Sequence, residues 1–379
     1  MRRKIAVIGP VYPLRGGIAH SNTLLCENLS NGHDLYAVSF KRLYPEFLYP
    51  GKSQKYESKR QLGFEPDFCI DSLNPFNWIK TFNRIRKFKP QLVILQWWTP
   101  FFAPLSYTIL VLTRWFTNAK SCIICANVTQ HEDKLVDKML TMIVFRRADY
   151  FITLADGDLK KLKKWYPKAK ARVLIEPTFD SIFNLGAVSK EAAQKKLKLA
   201  KRTILFFGFV REYKGLDYLL EAMPLINTEL DVDLVIAGEF WNDKQKYLDK
   251  ISTLKIKDKV KIFDNYIPDE EVGLYFSAAD MVILPYLDAS QSGIMQIAIG
   301  ALKPTVTTNV GAIDDFVDHG KTGYVIPPKD PQAIAKAVLR FYKEKKEKKF
   351  EQNIRQKKKM FEWSKKKESI LFFGLNGKN

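Results

Sequence analysis

The stretch Thr203-Ile-Leu-Phe-Phe-Gly-Phe-Val-Arg-Glu-Tyr-Lys-Gly-Leu-Asp-Tyr-Leu-Leu-Glu-Ala-Met-Pro-Leu-Ile226 decides how the chain is read. Thr203 to Gly208 is an apolar run closed by a glycine, which predicts a buried strand. A short loop carries Arg211 and Lys214. From Leu216 to Ile226 the apolar positions recur at helical spacing. A strand ending in glycine and feeding a helix is half of a βαβ unit.

The same pattern extends in both directions. Downstream, strands are predicted at Val232–Gly238, Val260–Phe263, Met281–Tyr286, Thr305–Asn309 and Gly323–Ile326. Upstream, they are predicted at Lys4–Gly9, Leu35–Phe40, Leu92–Gln96, Cys122–Ala126, Tyr150–Leu154 and Arg172–Ile175. Helical patterns such as Trp78–Phe88 and Lys134–Arg146 lie between them. Glu176-Pro177-Thr178-Phe179 closes the first series, and a Lys-rich segment leads to the second. The 379 residues therefore read as two α/β, doubly wound, Rossmann-like domains in tandem. Their boundaries are 1–177 and 201–360, with a linker over 178–200 and a final segment over 361–379.

Composition narrows the function. Hydrophobic residues make up 46% and charged residues 27%, as in an ordinary globular chain. The formal charge of +20 points to an anionic partner: a phosphate-bearing substrate, an acidic membrane surface or nucleic acid. No nucleic-acid recognition motif accompanies the charge, so nucleic acid is not expected as a partner. Between Lys343 and Lys367 twelve Lys or Arg face four Glu, a run that suits a solvated helix face or a membrane-facing strip. No uninterrupted apolar run is long enough to span a bilayer, and the basic start lacks the apolar core of a secretory signal. Cys122 and Cys125 have CxxC spacing, but on a strand they point to opposite faces. No second pair completes a zinc site, so no metal is expected. A cytoplasmic protein is expected.

Four features can carry chemistry. Gly16-Gly17 follows the first strand and opens a helix, where backbone can approach an anion. It does not form a GxGxxG fingerprint. Arg211 and Lys214 stand three apart at a helix start, where basic side chains oppose the helix dipole unless an anion comes between. Ala289-Ser-Gln-Ser-Gly-Ile294 precedes an apolar helix. Ser292 there is a helix cap or part of a phosphate seat, and the two are compatible. Asn309-Val-Gly-Ala, Asp314-Asp315 and His319-Gly-Lys-Thr-Gly323 are mostly turn chemistry. In the first half, Trp78, Lys80, Arg84, Arg86, Lys87 and Lys89 cluster ahead of Trp97-Trp98-Thr-Pro-Phe-Phe102. This combination fits either a membrane interface or a core helix with a charged outer face.

In order, FFGFVREYKGLDYLLEA (206–222), NYIPDEEVGLYFSAADMVILPY (265–286), SQSG (290–293) and KPTVTTNVGAIDDFVDHGKTGYVIPP (303–328) resemble the donor domain of the large retaining GT-B family, glycosyltransferase family 4. The start GP-x-YP-x-RGGI (9–18) fits the family's first domain. Phe361-Glu-Trp-Ser364 resembles its final segment, whose last helix crosses back to the first domain. The resemblance implies two Rossmann-like domains facing across a cleft and transfer of a hexose from a UDP- or GDP-sugar with retention of configuration. The implied acceptor is a glycan or a lipid-linked sugar in cell-surface polysaccharide or lipopolysaccharide biosynthesis.

The resemblance also implies residue roles. Arg211 and Lys214 would neutralise the donor diphosphate and the charge growing on the leaving nucleotide. Gly208 would lie at the donor, Gln291, Ser292, Gly293 and Ile294 would meet its phosphates and sugar, and Tyr266 and Ile267 would lie against the base. Gly16 and Gly17 would let the first domain approach the donor. Asn127, His131 and Glu132 are candidates for the acceptor side. No metal, cofactor or protein nucleophile is implied. The sequence departs from the family pattern at Ala289 and Ile297, where a pair of glutamates often stands, and at Ala126, where a histidine is frequent. The crossover "HP" reads Glu176-Pro177. The QSG form resembles a subgroup that also lacks the glutamates. These losses leave a second reading, a GT-B-shaped binding subunit supporting a partner enzyme. A soluble glycogen- or sucrose-type synthase is a third, disfavoured by the basic and aromatic first half. A peripheral position on the inner face of the cell membrane would suit a lipid-linked acceptor.

Overall fold

The computed structural model describes residues 2–45, 54–56, 60–128, 135–199, 201–241, 243–289, 292–363 and 367–371. The chain divides into two compact units. One is Met1–Pro177 with Phe361–Asn379, and the other is Thr178–Met360.

The first unit holds seven strands: β1 (Lys4–Ile8), β2 (Asp34–Arg42), β3 (Pro66–Asp71), β4 (Leu92–Trp97), β5 (Lys120–Cys125), β6 (Tyr150–Thr153) and β7 (Ala171–Val173). They form one sheet in the order β3-β2-β1-β4-β5-β6-β7, all parallel. Six match predicted strands to within two residues. The seventh, β3, falls outside the predicted runs. It is the edge strand beyond β2, and of its six residues only Ile70 is buried, so it carries too little apolar signal.

Alternation along the strands builds two cores. Ile5 and Val7 face the helix Gly17–Ser30 through Leu25, Cys26 and Leu29. Ala6 and Ile8 face the opposite layer, where Trp78, Phe82 and Ile85 come from the helix Pro75–Phe88 and Leu105 and Ile109 from the helix Ala103–Phe116. Further along that layer, Val144 and Phe145 come from the helix Leu135–Phe145. Cys122 and Cys125 belong to different cores, one on each face, as their spacing predicts, and both thiols are free. Trp363, Ile370 and Leu371 pack with the first core, so the end of the chain belongs to the first unit.

The second unit holds β8 (Thr203–Phe207), β9 (Asp233–Ala237), β10 (Val260–Phe263), β11 (Met281–Leu284), β12 (Thr305–Thr308) and β13 (Gly323–Ile326). Their order is β10-β9-β8-β11-β12-β13, again all parallel. All six match predicted runs. The helices Leu216–Asn227 and Pro331–Lys343 cover one face through Leu219, Met223, Ile226, Ile334 and Val338. In each sheet the winding reverses once: at β1 and β4 in the first, at β8 and β11 in the second. Ligands of open α/β sheets bind beyond the carboxyl ends of the strands at such a reversal.

The Lys-rich run after Lys343 folds as the helix Glu347–Lys358. Several of its cations are paired: Lys343 with Glu229, Arg355 with Glu351, Lys357 with Asp318 and Lys358 with Asp180. Among the described residues no helix is long and apolar enough to cross a membrane.

Candidate functional site

At the β8–β11 reversal the loops are pinned to one another. The Gly208 amide donates to Ala237 O at 2.8 Å, and the Gly238 amide donates to Phe263 O at 3.0 Å. These bonds hold the carboxyl ends of β8, β9 and β10 level. Gly208 has φ +90°, and a Cβ there would sit 3.2 Å from both Lys214 Nζ and Ile294 Cδ1. The positive φ favours glycine, a Cβ would be a tight fit, and the contacts show that Gly208, Lys214 and Ile294 meet at one point.

Lys214 ends a short 3-10 turn, Glu212–Lys214, just before the helix Leu216–Asn227. It is 8% exposed. Burial, and then repulsion from Arg211, lowers its pKa to about 8. Its Nζ lies 5.8 Å from the centre of the Tyr286 ring. The Tyr286 hydroxyl is 3.3 Å from Ser292 Oγ, and Thr308 Oγ1 donates to Tyr286 O at 2.6 Å. Ser292 caps the helix Gly293–Gly300 by accepting from the Met295 amide at 3.4 Å. Helix geometry leaves the amides of Gly293 and Ile294 without an intrahelical acceptor, and Gly293 is exposed.

Arg211 is exposed, with its guanidinium 4.8 Å from the Trp241 ring and 5.3 Å from the Tyr213 ring. Among the described residues neither Arg211 nor Lys214 forms an ion pair. Two neighbouring cations, one of them buried, and a helix start whose first amides have no intrahelical acceptor are features that an anion would satisfy. Sequence reasoning misses Trp241, Tyr213 and Tyr286. Only their aromatic character beside glycine-terminated strands marks them.

Other predicted residues lie elsewhere. Tyr266 and Ile267 follow β10, two strands from β8. Ile267 is buried, and the Tyr266 hydroxyl is 3.5 Å from Asp269 Oδ1. Ala289 and Ile297, where a glutamate pair is frequent, are both buried. Gln291, His131 and Glu132 lie outside the described residues.

In the first unit Gly16 and Gly17 follow β1 at that sheet's reversal. Gly16 has φ +115°. Gly17 opens the helix, and a Cβ there would meet nothing within 4 Å. Asn127 follows β5. The preceding Ala126 is buried, its amide bonded to Trp97 O at 2.8 Å. Among the described residues no three His, Cys, Asp or Glu side chains gather as a metal site would.

The membrane-interface alternative for Trp78 and Trp97–Phe102 needs correction. Trp78, Trp97 and Phe102 are core residues, and Trp78 Nε1 donates to Asp71 O at 2.8 Å. Trp98 donates to the Tyr44 hydroxyl at 2.8 Å. The basic neighbours Lys80, Arg84 and Lys87 do face out, because they sit on the opposite side of the helix from Trp78, Phe82 and Ile85.

With this geometry in place, residues 201–344 match the family described as Glycosyl transferases group 1. The chain is 30% identical over 141 residues to the "Uncharacterized glycosyltransferase MJ1607" of Methanocaldococcus jannaschii, covering 37% of this chain and 35% of that protein. It spans about a third to a half of the length of the curated relatives it matches. Among solved structures, a glycosyltransferase from Rickettsia africae matches with a TM-score of 0.74 and 17% identity, covering 100% of each chain. Anabaena HepE in complex with UDP-glucose matches at 0.74 and 14%, over 97% of this chain and 98% of that one. The fold is GT-B, with one Rossmann-like domain in each unit.

Proposed function

We propose that the protein transfers a hexose from a nucleotide-diphosphate sugar, UDP- or GDP-linked, to a glycan or lipid-linked acceptor. The carrying observation is Lys214: a buried cation next to a second cation, Arg211, and to the free amides of the helix at Gly293. Together these groups would hold the diphosphate and stabilise charge on the departing nucleotide. Side-chain cations would serve where other transferases use a metal. Retention of configuration rests on the family resemblance, in which the acceptor attacks the face the nucleotide leaves. The expected setting is polysaccharide or lipopolysaccharide assembly at the cytoplasmic face of the membrane. Anabaena HepE, of the same fold, was solved with UDP-glucose, which supports a UDP-sugar as the first donor to test.

A second reading is a non-catalytic GT-B subunit. It is favoured by Ala289 and Ile297, which stand as buried apolar residues where the family often carries two glutamates. Calorimetric titration against UDP-, GDP-, ADP- and dTDP-sugars, with released nucleotide followed over time, separates the two. Selective binding with slow hydrolysis supports the transferase. Binding without any hydrolysis or transfer supports the subunit, and no binding to any nucleotide sugar removes the donor-site assignment.

A further inference from the structure

In the first unit the helix Asp156–Trp165 runs into the edge strand β7 through a short turn, Tyr166-Pro-Lys-Ala-Lys170. Pro167 pushes Tyr166 out of helical backbone, which ends the helix at Trp165. Against this turn lies a cavity of about 580 Å3. Four cations line it, Lys163 from the helix and Lys168, Lys170 and Arg172 from the turn and strand, with one carboxylate, Asp156. Among the described residues none of the four forms an ion pair. The basic run from Lys343 to Lys358 behaves differently, since Lys343, Lys357 and Lys358 each meet a carboxylate. Lys163 has a local reason for its place, because a cation in the last turn meets the negative end of the helix dipole. Lys168, Lys170 and Arg172 have none, and like charges gathered on one concave surface repel.

Two of the cations are held in place. Lys163 Nζ donates to Ala169 O, and Lys170 Nζ lies 5.8 Å from the centre of the Tyr150 ring. The strand adds backbone donors. In its sheet β7 has a neighbour on one side only, β6. The Phe151 amide donates to Lys170 O and the Leu174 amide to Thr153 O, both at 2.9 Å. Alternate residues of a strand direct their backbone groups to opposite sides, so Ala171 and Val173, which also line the cavity, direct theirs to the open edge. We propose that this cavity is a second anion site, for a compact ligand carrying several phosphate groups. Its volume is that of a small-molecule site. Four cations against one carboxylate leave three positive charges, which suits a di- or triphosphate better than a single phosphate. Arg172 offers a planar fork to two phosphate oxygens, and the lysines add point charges. A three-residue edge is too short to take up an acidic peptide as a further strand. The site shares no residue with the seat around Lys214 and does not depend on the proposed function.

The test is calorimetric titration of the full chain with inorganic tripolyphosphate and with orthophosphate, at about 0.15 M ionic strength. It is run on the wild type and on Lys214→Met, in which the proposed donor seat is disabled. Both are expected to bind tripolyphosphate about tenfold or more tighter than orthophosphate. Adding Lys168→Gln/Arg172→Gln to Lys214→Met should cost about tenfold or more in affinity, with no further change in thermal midpoint because both side chains are exposed. Adding Lys80→Gln/Lys87→Gln instead removes two exposed cations from the helix Pro75–Phe88 and should leave tripolyphosphate binding as it was. Binding that vanishes with Lys214→Met alone overturns the proposal, as do equal losses in the two charge-removing variants. Equal affinity for orthophosphate and tripolyphosphate, or tighter binding of polyglutamate than of tripolyphosphate, also overturns it. Because the cavity is read in the Lys214→Met protein, its failure leaves the donor site standing, and failure of the donor site leaves the cavity standing.

Discussion

The guanidinium of Arg211 stacks 4.8 Å over the indole of Trp241, and Trp241 in turn meets the edge of Phe209 at a ring separation of 5.2 Å. The Trp241 amide also donates to Val210 O at 3.1 Å, tying the loop after β9 to the loop after β8. An exposed arginine is thereby held in place by aromatic rings, with no carboxylate partner among the described residues.

Trp241 should act as a positioning residue for Arg211. Trp241→Ala is expected to weaken donor binding about two- to fivefold, the worth of an exposed cation–π contact. Trp241→Phe should restore most of it. Calorimetry with the selected nucleotide sugar checks this, and equal affinities for all three proteins would refute it.

Lys214 should make donor binding depend on pH. Its pKa in the free protein is about 8, and a bound diphosphate would raise it. Between those two values binding takes up a proton, so affinity is steady below about pH 8 and falls above it, toward tenfold per pH unit. Lys214→Arg, which does not titrate, should give a flat profile. Coincident wild-type and Arg profiles would show that Lys214 is not the linked group.

The same residue should trade stability for binding. A lysine whose folded-state pKa lies below its unfolded value of 10.5 opposes folding while protonated. That cost is fully present below about pH 8 and is relieved as pH rises toward 10.5. Lys214→Met is therefore expected to raise stability at pH 7 by about 1–3 kcal/mol while removing transfer. The gain should shrink at high pH. Thermal midpoints across pH decide it, and a variant that keeps its activity would sink the diphosphate assignment.

Gly17 should matter for ligand and not for fold. Its backbone is ordinary and a Cβ has open space. Gly17→Ala is expected to leave the thermal midpoint unchanged or slightly higher, and to lower kcat/KM about tenfold or more if backbone must approach substrate there. Unchanged kcat/KM would remove Gly17 from the site.

Strands of the second sheet are legible because each is a short run dominated by apolar or β-branched residues and most end near glycine, proline or asparagine. β3 is not, because an edge strand has one covered side and keeps Asp67 and Asp71 for ion pairs with Arg84 and Arg42. Arg211 and Lys214 are visible as cations placed against a helix dipole. The Trp241 platform is invisible, because it joins two loops that only the sheet brings level. Trp78 misleads because proximity in sequence mixes the two sides of a helix.

Ile370 is fully buried in the core that holds Ile5, Val7, Leu92 and Ile124, with Trp363 and Leu371 packed against the same core. The core begun by Ile5 and Val7 is therefore closed by residues made more than three hundred positions later. On the ribosome, the Thr178–Met360 unit has all of its sequence before the opening unit does. Until residues 361–371 emerge, the Thr178–Met360 unit has its complete sequence while the core around Ile5 and Val7 still lacks Trp363, Ile370 and Leu371.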